Sequence, residues 1–168
     1  LVSWIIDRCA GQSVPVVADS QSSSQMGDIS RYRNCLLVTP TEREARIATR
    51  NYQDGLVVLA EELSRKAQVE NVVITLGMEG VLVHAEQAVE GWNDDRIPAF
   101  NFLPRDVTGA GDAFNAGLAV AISKESTLEE AMKYAVACGS LAVTKSGAQN
   151  AMPYTNEVSF FMKKACKL

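Results

Sequence analysis

Only one histidine, His84, occurs in 168 residues, and the four cysteines (Cys9, Cys35, Cys138, Cys166) form no C-x-x-C unit. A zinc site built on these residues would need several such ligands at close spacing, so a metal role for His84 is not expected. Free thiols and a cytoplasmic setting are the plain expectation. Clustered Lys and Arg are missing too. The sixteen basic residues are scattered, Lys163-Lys164 is a single short pair, and the net charge is −4. That balance argues against a nucleic-acid or anionic-membrane surface. No apolar run approaches the roughly 18–20 residues of a bilayer span. The longest, from Ala113 to Ile122, is interrupted by Asn115 and Gly117. Internal repeats and low-complexity tracts are absent as well. The opening residues Leu1-Val2-Ser3-Trp4 show no secretory pattern and reach Asp7 and Arg8 at once. With no Met before them, they read as the interior of a domain whose upstream part is to be expected.

What is present suits one globular domain over 1–168: hydrophobic residues make up 47% and charged residues 21%. Strand and helix signals alternate. Val2 to Ala10 reads as a helix stopped by Gly11. Short apolar runs at Val14–Ala18, Cys35–Val38, Val72–Leu76 and Val81–Ala85 read as strands. Ser20 to Arg33 is a polar, Ser-rich loop with a helical turn. Thr41-x-x-Glu44 has capping-box spacing before a helix of about two turns. Gly55 to Gln68 is amphipathic, with Leu56, Leu59, Ala60 and Leu63 on one face. Glu86 to Arg105 is irregular, with an edge strand and a surface loop. Asp112 to Ser123 is a further helix, and Ser126-x-x-Glu129 is a second capping box opening a long one. After Pro153, Glu157 to Lys167 forms the last helix. This alternation argues an α/β layered fold with a largely parallel sheet.

The chemically informative stretch is Asp106-Val107-Thr108-Gly109-Ala110-Gly111-Asp112-Ala113-Phe114. Small residues before a helix expose backbone N–H groups that, with the helix dipole, suit a phosphate. A carboxylate among them would repel an anion, but would serve as the base toward a hydroxyl that meets the phosphate. The spacing equally allows Asp112 as a helix cap and Gly-Ala-Gly as a tight turn for close packing. A dinucleotide fingerprint is excluded because Phe114 stands where its third glycine belongs. No G-x-x-x-x-G-K-[ST] occurs, so this is not a P-loop protein.

Asp106 to Asp112 resembles the D-[TV]-T-G-A-G-D signature of the ribokinase-like (PfkB-type) carbohydrate kinases. Thr75-Leu76-Gly77-Met78-Glu79-Gly80 is similar to that family's T-x-G-x-x-G nucleotide loop. Leu37 to Ala45 is similar to its T-P-N-x-x-E segment, Asp19 to the Asp closing an earlier strand, and Lys145-Ser146-Gly147-Ala148 to its Gly-Ala turn. The resemblance covers almost the whole chain and looks nearest the branch with heptose-phosphate kinases. It implies a three-layer α/β/α fold lacking its N-terminal half and lid. It further implies Asp112 as catalytic base, with the amides of Gly109, Ala110 and Gly111 as the anion hole. Thr75, Gly77, Gly80 and Thr108 would line the ATP site, and Glu44 would help hold Mg²⁺ and its waters. Asp106 and the turn at Gly147 would lie where family members bind a monovalent cation such as K⁺. The substrate would be a sugar, sugar phosphate or nucleoside, and a homodimer would form through the lid region. Two departures stand out: Thr41 replaces the family Asn, and Val136 replaces an Asn that several relatives carry near adenine. A non-catalytic nucleotide-binding or interaction module on the same fold is the rival reading.

Overall fold

In a computed structural model, residues 1–19, 27–85, 94–100 and 103–165 are described. The Ser-rich run Gln21–Gln25, Cys166 and parts of the irregular region expected over 86–105 lie outside them. The chain divides into two units, Leu1–Leu76 with Val81–Arg96, and Gly77–Gly80 with Ile97–Leu168.

The first unit holds the sheet. Helix α1 (Val2–Ala10) ends at Gly11, as expected, but Gly11 stays right-handed and Ser13 takes the left-handed turn (φ 56°). Strand β1 (Val17–Ala18) is shorter than the apolar run suggests: Val14 is still held in the turn after α1, its N–H donating to Cys9 O at 2.9 Å. It pairs in parallel with β2 (Leu37–Val38), and β2 in parallel with β3 (Asn71–Thr75). Strand β4 (Val81–Ala85) runs back along β3 antiparallel, from Thr75 opposite Val81 to Asn71 opposite Ala85. Strand β5 (Asp94–Ile97) completes the order β1-β2-β3-β4-β5 as the expected edge strand. The sheet is therefore mixed, with its parallel pairs at the β1 side. His84 Nδ1 lies 2.7 Å from Asp94 Oδ1, joining β4 to β5.

Helix α2 (Glu42–Thr49) starts on the capping box read from the sequence. Thr41 Oγ1 accepts from Glu44 N at 3.3 Å, and Thr41 N donates to Glu44 Oε2 at 2.8 Å. Helix α3 (Leu56–Ala67) buries Leu59, Ala60 and Leu63 completely, as its periodicity requires. Together with Ile6, Ile29, Val38, Ala45, Val72 and Ile74 these form one apolar cluster. Val72, Val73 and Ile74 are all fully buried, so β3 is covered on both faces, the pattern of an interior strand.

The second unit is helical: α4 (Ala110–Ser123), α5 (Leu128–Ala142), the four-residue α6 (Ala148–Ala151) and α7 (Thr155–Ala165). The second capping box is displaced by one residue from Ser126 and Glu129. Thr127 Oγ1 accepts from Glu130 N at 3.3 Å, and Thr127 N donates to Glu130 Oε2 at 3.1 Å. Both pairs have the right spacing, but the Thr127 start turns Ala131, Met132 and Ala135 inward and frees Glu129 to pair with Lys133. Gly117 lets α4 approach α5 closely, since a Cβ there would sit 2.6 Å from Cys138 Sγ. Phe100 and Phe161 meet edge-on, centroids 5.7 Å apart, beside Val158 and Ala137.

Burial pushes the Cys138 thiol up to about 11, and burial, followed by the nearby Cys9, raises that of Cys35. Only the thiolate attacks disulfide reagents. Among the described cysteines, half-buried Cys9 is therefore the one expected to react with DTNB at pH 8 in the native protein. Thiol counting before and after denaturation with single Cys→Ser variants checks this. Fast native labelling of Cys138 would contradict it.

No helix of the described residues is long and apolar enough to cross a membrane.

Candidate active site

In the second unit, Gly109 adopts φ 77° and caps α4, which a side chain could not do without strain or contact. A Cβ on Gly109 would lie 3.0 Å from both Cα and Cβ of Ala148. The helix therefore begins at Ala110, two residues before the expected start at Asp112, and Asp112 occupies its third position. Ala110 N donates to Val107 O at 3.2 Å, and Ala113 N donates to Gly109 O at 2.9 Å. Across Gly109–Asp112, the N–H groups without a partner among the described residues are those of Gly109, Gly111 and Asp112. One expected donor, Ala110, is thus committed to the turn, whereas the amide of Asp112 is not. Nothing lies within 4 Å of a Cβ built on Gly111, so the side-chain side of this residue is open.

The Asp112 side chain is exposed and makes no cap hydrogen bond. A helix-capping role, which the sequence left open, is not realised. The packing role left open for the glycines is realised at Gly109.

Asp106 is tied at both oxygens. Its Oδ1 accepts from Thr108 N at 2.9 Å, and its Oδ2 accepts from Gly147 N at 2.9 Å. These bonds, Gly147 first and then Thr108, hold its carboxyl down at about 2, so it is ionised at any physiological pH. The structure thus brings together Asp106, Thr108, the Gly109–Asp112 turn and Gly147. The Thr108 contact is an Asx-turn, readable from D-x-T. The Gly147 contact spans forty-one residues, and no local rule reveals it.

Gly77 and Gly80 flank a short 3₁₀ turn, Gly77–Glu79, and both have positive φ (61° and 92°). Their surroundings differ. A Cβ on Gly77 would meet nothing within 4 Å, whereas one on Gly80 would lie 2.0 Å from Ile97 O and 2.6 Å from Ala99 N. Gly80 is required by backbone packing, which leaves Gly77 as the glycine of this loop with open space around it.

In the first unit, Thr75 ends β3 and bridges to Thr41. Its N–H donates to Pro40 O at 2.8 Å, and its hydroxyl lies 3.4 Å from the same oxygen. Glu44 is buried, and its Oε2 also accepts from Thr41 Oγ1 at 2.8 Å. The capping reading of Thr41 and Glu44 is therefore satisfied, with Oε1 outside the box. Asp19 directly follows β1, and Val136 is buried on α5. Among the described residues no group of three or more His, Cys, Asp or Glu is placed to hold a metal ion.

Residues 3–155 match the pfkB family carbohydrate kinases. The chain belongs to that family. This pfkB-family chain is 34% identical over 136 residues to the ribokinase of Haemophilus influenzae, covering 77% of itself and 41% of the ribokinase. It is 31% identical over 150 residues to the bifunctional protein HldE of Bradyrhizobium diazoefficiens, covering 88% of itself and 29% of HldE. The structure of Arabidopsis thaliana ribokinase complexed with ribose and ATP superposes with a TM-score of 0.82 at 23% identity. That match covers 96% of this chain and 52% of the ribokinase. The fold is thus the ribokinase-like α/β fold, and the chain spans about half the length of these relatives or less. Since ribokinase and HldE both match, the pfkB-family level rather than one branch is what is shared.

Proposed function

We propose that the protein phosphorylates a hydroxyl of a sugar, sugar phosphate or related small molecule from ATP. The reading is carried by one arrangement: unpaired N–H groups of Gly109, Gly111 and Asp112 at a helix start, beside an exposed carboxylate unused in capping. The acceptor hydroxyl gives its proton to Asp112, its oxygen bonds to the γ-phosphorus, and the bond to the β,γ-bridging oxygen breaks to release ADP. The open amides stabilise charge on the phosphoryl oxygens as they move. Thr75, Gly77 and Thr108 serve the nucleotide, with Gly80 shaping the loop.

Mg²⁺ fits the residues present through Glu44, whose Oε1 is outside the capping box. It would neutralise phosphate charge when bound. The ionised Asp106 likewise fits a monovalent cation. Thr41, in place of Asn, and the engaged Oε2 of Glu44 favour the second reading, a nucleotide-binding module without turnover.

Calorimetric titration of this chain with Mg-ATP, with NAD as control, tests the nucleotide part. Selective ATP binding is expected, and a sugar panel on the full-length protein then tests transfer. A folded sample that ignores millimolar ATP would overturn the kinase reading in favour of an interaction module, and NAD binding would revive an oxidoreductase.

A further inference from the structure

The anion turn does not stand alone. It rests on residues 143–148, the link from α5 to α6. Val143 O accepts from Arg105 N at 2.8 Å and from Asp106 N at 3.2 Å. Gly147 N donates to Asp106 Oδ2, and Ala148 packs on Gly109. This backing segment is in turn tied to α7. Lys145 Nζ lies 2.9 Å from Glu157 Oε1, while Glu157 Oε2 accepts from Tyr154 N at 2.8 Å. Glu157 is the third residue of α7, where a carboxylate reaches back to the residue before the helix. The Tyr154 hydroxyl sits at the far end of its ring and cannot close the reciprocal half of a capping box as a Ser or Thr would; Glu157 has one oxygen on the helix start and one on Lys145.

We infer that Glu157 and Lys145 form a positioning pair for the phosphate turn, fixing the 143–148 segment on which Asp106 and Gly109 rest. Among the described residues, no hydrogen bond or ion pair joins either side chain to the turn itself. Glu157 acts through Lys145, Lys145 through the backbone to Gly147 and Ala148, and these through Asp106 and Gly109. The inference rests on the proposed phosphoryl transfer for its kinetic consequence, but not for its structural one.

The test uses Glu157→Gln, which keeps an acceptor for Tyr154 N but loses the charge facing Lys145, and Lys145→Met. In the full-length protein each is expected to lower kcat about two- to fivefold, the range open to a partly exposed ion pair. The KM for the acceptor and the pH profile should not move, and Lys145→Arg should restore the rate. Added to Asp106→Asn, Glu157→Gln should cost nothing further, because both act through one contact. Independently of turnover, hydrogen exchange of residues 105–112 should quicken by a similar factor in Glu157→Gln, with the middle of α4 unchanged. Glu129→Gln, which breaks a comparable exposed pair on α5, serves as control. Wild-type kcat with wild-type exchange in Glu157→Gln, or losses that multiply with Asp106→Asn, would overturn the inference. If the wild-type protein transfers no phosphate to any acceptor, the functional reading fails, and the exchange result alone decides the positioning.

Discussion

Asp112→Asn in the full-length protein is expected to fold normally, bind Mg-ATP and lose about 10²–10⁴-fold in kcat, the usual worth of a positioned general base. Loss of stability cannot produce that result. Asp112 caps nothing, its side chain is exposed, and its favourable interaction with the helix dipole is worth about 0.3–1 kcal/mol at such a site. The substitution keeps size and polarity and removes the negative charge, and with it the ability to accept a proton. The checks are a melting curve, an ATP titration and a steady-state rate on the same preparation. Turnover within a few-fold of wild type would sink the role of Asp112. A matching fall in stability would instead return it to the helix start.

Gly80→Ala carries the largest expected effect on folding. Its new methyl would need space already filled by Ile97 O at 2.0 Å and the Ala99 amide at 2.6 Å, and both are backbone atoms that no rotamer change can move. It would also hold an L-residue at φ 92°. Overpacking of about 1–3 kcal/mol and backbone strain of about 1–3 kcal/mol are both incurred. That is a large part of the roughly 5–15 kcal/mol by which a domain is stable. Gly77→Ala meets only the left-handed penalty, about 1–2 kcal/mol, because the space around it is open. Urea titration of the two variants should separate them clearly. ATP titration should then show Gly77→Ala folded but weakened in nucleotide binding. Equal midpoints would mean that the chain at 97–99 yields, and that Gly80 is free for the nucleotide after all.

What the sequence revealed depended on how local the deciding interaction was. The capping box at Thr41–Glu44 is contained within four residues and stands as read. The one at Ser126–Glu129 has a neighbour with the same spacing, and only the inward face of α5, a matter of packing, chooses Thr127 and Glu130. Strand β1 is shorter than its apolar run because Val14 N bonds back to Cys9 O, a link to α1 that the run does not reveal. Helix α6, at four residues, is too short to show a period. Among the site residues, the turn from Asp106 to Asp112 was legible as a motif. Its backing by Gly147 and Ala148, and the commitment of Ala110 N to Val107 O, were not, since both depend on where the backbone goes after Thr108. The unequal crowding of Gly77 and Gly80 was hidden for the same reason. Two glycines read alike until the strand that crosses one of them is in place.

The near-equal lengths of α4 and α5, fourteen and fifteen residues, set a rule for which changes in chain length the protein can absorb. Each helix runs about 21–23 Å, so the chain travels out along one and returns along the other to within bonding distance of its start. The meeting of Gly147 with Asp106 records that return. A residue inserted inside either helix would swing everything beyond it by roughly 100° and carry Gly147 away from its partner. The turn from Lys124 to Thr127, at the far end of both helices, can lengthen without altering either path. Natural insertions and deletions in this region should therefore gather at that turn and avoid both helices, even at their exposed positions.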